Sequence, residues 1–174
     1  MESNLPNSEN TRAVLRHLLA TLAYRAAKVL RDVPPGFGEF SAGPQWRRPV
    51  LIVAHLADLM KGGEKMAAGE YFWRAEGSSD WDTEVRRFFD NMAAFDSALA
   101  SESSLGLPRA AEMLIQGPLG DALWHVGQIA MLRSAAGKPV RAESYARADI
   151  VAGRVGPEQT PGRAEFDGDA SVRR

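Results

Sequence analysis

The sequence predicts an all-α protein, a four-helix bundle with a C-terminal extension. Three observations carry that expectation. Four stretches place apolar residues at the 3.6-residue period of amphipathic helices. Prolines and glycines cluster between them. No segment alternates apolar and polar residues as a half-buried strand would. At 174 residues the chain fits one domain with a core of its own.

The first helix is expected over Thr11 to Arg31, with Val14, Leu15, Leu18, Leu22, Ala26, Val29 and Leu30 on its apolar face and Ser8 or Asn10 as its cap. "DVPPGFGEFSAGPQW" ends it. The second spans Pro49 to Ala68, since proline suits a first helical turn. Gly62-Gly63 is expected to bend or end it. The third runs from Asp82, as cap, to Ser101, burying Phe88, Phe89, Met92, Phe95 and Leu99. The fourth runs from Pro108 to Ala136, with a kink at Gln116 to Pro118 because Pro118 has no N–H to donate; Gly137 and Pro139 stop it. A short helix near Ser144 to Ala152 completes a unit of residues 1–155. Residues 156–174 read as a polar, poorly ordered tail, with Phe166 able to anchor a return.

Composition narrows the functional classes. A net charge of −1 leaves no basic footprint for nucleic acid or an anionic membrane. The absence of cysteine excludes disulfides, thiolate zinc sites and a protein thiol nucleophile, and it fits a cytoplasmic protein. The N-terminal "MESNLPNSENTR" lacks the features of a signal peptide, and "VLIVAHLADLM" is too short and too polar to cross a bilayer. No repeat, phosphate-binding glycine loop, Ser-His-Asp order or dinucleotide fingerprint is present.

The residues able to do chemistry are His55 on helix 2 and Asp121 and His125 on helix 4. The i, i+4 spacing of Asp121 and His125 aims both side chains the same way. With a histidine from a facing helix they form a set of two imidazoles and one carboxylate, which leaves metal positions open for water or substrate. Spacing alone leaves a second reading open, a solvated face through Asp121, His125 and Gln128. Against it, Asp121 to Leu132 contains no lysine or glutamate, and Leu51, Ile52 and Leu59 flank His55. Asp58, one turn from His55, is a fourth ligand, a partner that orients an imidazole and could serve as catalytic base, or a surface acid. Gln128 is expected to bond to a neighbouring helix. His17, among leucines and without a spaced partner, is assigned no role. Phe37, Phe40, Trp46, Tyr71, Phe72, Trp73 and Trp81 either cap the core or form an apolar mouth for an organic substrate.

Two stretches, "RRPVLIVAHLADLM" and "GPLGDALWHVGQIAMLRSAAGKPV", resemble the DinB/YfiT-like family of metal-dependent proteins. The resemblance implies an up-down-down-up four-helix bundle. It also implies a divalent metal, often nickel or zinc, held by a histidine of helix 2 and two histidines four residues apart on helix 4. His55 and His125 match two of these, and Asp121 stands where the family has the earlier histidine. The carboxylate makes the donor set harder and brings manganese or iron within range. Family members include transferases and isomerases that use a small cellular thiol, activated as thiolate by the metal. The implied function is therefore a bacterial metal-dependent S-transferase or hydrolase. It would act on a small electrophile with a low-molecular-weight thiol or water. Separately, helix faces rich in Leu, Ala and Met beyond what one core stripe requires point to a homodimer. The alternative is a non-catalytic, stress-linked binding or interaction bundle.

Overall fold

Helix α1 (Glu9–Leu30) buries Leu15, Leu19, Leu22, Ala26 and Val29 along one stripe. Asn10 lies inside this helix and Val14 points outward, 63% exposed, one step off that stripe. The computed structural model describes residues 9–101, 105 and 109–166, so Ser8 and Pro108 fall outside the described residues. After a short 3-10 turn at Phe37–Glu39 come α2 (Pro49–Ala67) and α3 (Trp81–Ala100). A fourth helical segment follows in two pieces, α4 (Ala110–Leu114) and α5 (Gly120–Ala135). Pro49 occupies the first turn of α2, as the sequence predicts. The cap of α3 is Asp80 rather than Asp82: its carboxylate accepts from the Thr83 N–H at 2.8 Å, which holds its pKa below the usual carboxylate range. Asp82 instead lies in the first turn, where the helix dipole favours an acid.

The fold is mostly helical. α2 and α3 pack most extensively, α1 lies against α3 and α5, and α2 also touches α5. Phe88, Phe95, Met92 and Leu99 of α3 meet Ile52, Leu56 and Met60 of α2 in one buried cluster with α1.

Gly62-Gly63 does not bend or end α2. The helix runs through both, and Gly63 is a contact point: a Cβ there would fall 2.5 Å from the Phe95 ring. The missing side chain lets α3 approach closely. Gly63→Ala is expected to cost about 0–2 kcal/mol, an overpacking penalty of about 1–3 kcal/mol less the roughly 1 kcal/mol better helix propensity of alanine. Urea denaturation measures it, and an unchanged midpoint would mean that Phe95 yields freely.

The kink falls where Pro118 requires it. Ile115–Leu119 form a wide π-type turn, and Gly117 leaves helical geometry at φ −92°, ψ −106°. α5 ends at Ala135, with Gly137 in the left-handed region at φ 78°. Near that end, Arg133 reaches across to the C-terminus of α1. Its guanidinium donates to the carbonyls of Val29 (3.1 Å) and Arg31 (2.8 Å), and its Nε to that of Lys138. These carbonyls would otherwise have no helical partner.

Beyond α5 the expected short helix is a single 3-10 turn, Tyr145–Arg147. A small sheet, absent from the sequence-based expectation, pairs β1 (Ala142–Glu143) antiparallel with β2 (Glu165–Phe166). Its strands are two residues long, too short for alternation to reveal. Lys28 of α1 fastens both, with its Nζ 2.6 Å from Glu143 and 2.7 Å from Glu165, while the Tyr24 hydroxyl donates to Glu143. Burial works against the Lys28 charge, but the two carboxylates outweigh it and raise its pKa. The chain from Gly156 to Phe166 is thus tied to the helices, and Thr160 donates to the Asp149 carbonyl.

Candidate metal centre

His55 lies on α2, and Asp121 and His125 lie one turn apart on α5. The packing of α2 on α5 brings the three together. Asp121 Oδ2 is 3.1 Å from His55 Nε2, and Asp121 Oδ1 is 3.5 Å from His125 Nε2. The two imidazoles meet edge to face, with centroids 4.8 Å apart. One ligand atom from each residue lies within 4.8 Å of the other two. A metal with bonds of about 2.0–2.2 Å places neighbouring ligand atoms about 3–3.5 Å apart; the two Asp121 contacts stand at that spacing, and the group could hold a divalent ion. Among the described residues no other trio of histidine, aspartate and glutamate converges in this way.

The surroundings favour metal-ready imidazoles. His125 Nδ1 is 2.7 Å from Gln128 Oε1, so the ring donates there and leaves the Nε2 lone pair toward Asp121. Gln128 therefore bonds to its own helix rather than to a neighbour, and its spacing of i+3 from His125 is the signal that could have shown it. Burial, first of all, pushes the His55 pKa down, and the nearby His125 and Arg47 add to this; the hydrogen bond that its ring donates to Asp121 opposes without cancelling it. Trp73 closes over His55 edge to face at 5.5 Å.

Asp58 is neither a surface acid nor part of this group. It is buried, and its Oδ1 accepts from Arg87 Nη1 at 2.6 Å and from the Glu76 N–H at 3.3 Å. Arg87 also pairs with buried Glu84 at 2.7 Å and donates to the Ala54 carbonyl. Glu84 in turn accepts from the Ser78 N–H. This network pins both α3 and the loop of residues 68–80 to α2, the loop that carries Trp73. His17 is exposed.

The aromatic residues divide between the two expected roles. Phe37, Phe40 and Trp81 pack on the core, Phe37 stacking on Phe40 and meeting Trp81 edge-on. Tyr71, Phe72 and Trp73 line a cavity of about 560 Å³ that Asp121 also borders. Trp46 lines a second, of about 530 Å³, bordered by His125. Trp124 lies in both linings and is 70% exposed. Asp121 and His125 thus each border one of two cavities of ligand size. Trp124 and Arg47 belong to these walls, and sequence reasoning missed them both. Trp124 precedes His125 directly, but an exposed indole has no periodic signature.

Fold and site together define a helical protein with a His–Asp–His group able to hold a metal. Compared with protein-family models, curated proteins and solved structures, the chain finds no match. Among the described residues no helix is long and apolar enough to cross a membrane.

Proposed function

We propose that this chain is a metal-dependent enzyme of the DinB-like kind, an up-down-down-up four-helix bundle that activates a small thiol or water toward a small electrophile. The convergence of His55, Asp121 and His125 from two helices carries this reading. A divalent ion held there would supply Lewis acidity, lowering the pKa of a bound thiol or water to near neutrality. The protein's own part is to present two imidazoles, one oriented by Gln128, with a carboxylate between them. Tyr71, Phe72 and Trp73 offer an apolar wall to the electrophile beside Asp121. The lack of cysteine is consistent with a thiol that arrives as cosubstrate. Nickel or zinc is the first expectation, and the carboxylate also admits manganese or iron.

Elemental analysis of protein purified without a metal-affinity tag tests this directly. About one equivalent of divalent metal per chain is expected. Saturating metal-free protein to roughly 100 times Kd should raise the melting temperature by about 5–10 °C. No bound metal, with melting unchanged on adding nickel, zinc, manganese or ferrous iron, would sink the proposal and leave a non-catalytic binding bundle.

A further inference from the structure

The two cavities at the metal centre differ in charge. The first has Asp121 as its charged wall residue among Tyr71, Phe72, Trp73 and Leu59. The second has Arg47 as its charged wall residue, with Trp46, Trp124, Met131, His125 and Gln128 around it and no acid among its lining. Other arginines of the site's scaffold are neutralised: Arg48 by Glu39, Arg87 by Asp58 and Glu84, Arg16 by Asp96. Among the described residues Arg47 has no carboxylate within ion-pair distance. Large apolar side chains stand open around it, with Trp46 50%, Trp124 70% and Met131 62% exposed.

An unneutralised guanidinium among open indoles, in a cavity that touches a metal ligand, has a definite complement. We propose that the second cavity is a subsite for a small organic anion with a flat apolar body, its carboxylate on Arg47 and its body against Trp46, Trp124 and Met131. A guanidinium binds a planar carboxylate through two parallel hydrogen bonds, and indoles bury flat apolar surface. The volume of about 530 Å³ suits one such molecule. The assignment rests on the reading above for its purpose, since it names the class of molecule brought beside His125.

Calorimetric titration with 4-biphenylcarboxylate, and with the neutral 4-biphenylmethanol of the same shape, tests the subsite. The carboxylate should bind about tenfold more tightly to the wild-type protein. Arg47→Gln should erase that preference while leaving the alcohol unchanged, and Arg47→Lys should restore part of it. His55 does not line this cavity, so His55→Ala should keep the preference. No preference in the wild type, or one that survives Arg47→Gln, overturns the proposal. A preference lost in His55→Ala but kept in Arg47→Gln would place the carboxylate at the metal ligands and overturn it equally. An Arg47-dependent preference in a protein that carries no metal would uphold the subsite and defeat the metal reading.

Discussion

Replacing His55 or His125 with alanine is expected to weaken divalent-metal binding by at least about 100-fold, because each removes one of three donors. Removing a partner that only orients a ligand costs roughly 10–100-fold, the range expected for Gln128→Ala. Equilibrium dialysis against nickel or zinc measures both. The pH dependence has a definite sign. Protons compete with metal for the imidazoles, so affinity falls with pH. Burial holds the His55 pKa below its ordinary value, so its share of the loss comes at lower pH than for an exposed histidine. The metal-free fold follows the same linkage. Its His55 takes up a proton less readily than the unfolded chain does, so stability declines as pH falls below about 6.5 and toward the lowered value. In His55→Ala that component of the decline should vanish. Metal binding unchanged in both alanine variants would mean that these residues are not ligands.

Arg87→Ala is expected to cost about 3 kcal/mol and to lower the melting temperature by roughly 6–12 °C. Arg87 stands between Asp58, 6% exposed, and Glu84, 1% exposed. Truncation leaves two buried carboxylates facing one another's field, which is worse than losing the pair altogether. The estimate sits at the lower end of the 3–5 kcal/mol range because Arg87 itself is 21% exposed and partly screened. A second consequence separates this from simple destabilisation. Asp58 and Glu84 hold the Glu76 and Ser78 N–H groups, so the variant should also loosen the loop bearing Trp73. Hydrogen exchange at residues 70–80 should then rise more than in α1. A uniform rise would sink the idea that Arg87 anchors that loop.

The long helices were legible because packing of an amphipathic face follows a local period. Leu15 and Leu19, or Phe88 and Met92, announce a buried stripe before any partner is known. His55, Asp121 and His125 were legible for a related reason: two share one helix face and the third interrupts another apolar stripe. What could not be read are pairings between residues distant in the chain. Arg87 finds Asp58 29 residues away, and Lys28 finds Glu143 115 residues away. No spacing rule links such partners, so Asp58 looked free for catalysis. Gly63 misled for the same reason, since its fitness depends on a ring in another helix. Arg47 reads as one more surface charge until the helices enclose the cavity it borders.

The wide turn at Ile115–Leu119 acts as a phase adjuster for the metal centre. In an α-helix each residue advances the azimuth by about 100°, and a π-type turn takes up roughly one residue more than an α turn. At Gly117 the backbone leaves helical geometry altogether, so α5 does not continue the azimuth of α4. Beyond that break Asp121 and His125 face His55 while Leu119, Ala122, Val126 and Ile129 fill the core. Gly117 and Pro118 offer no ligand atom of their own, yet the break they make sets the direction of the helix that carries two of the three.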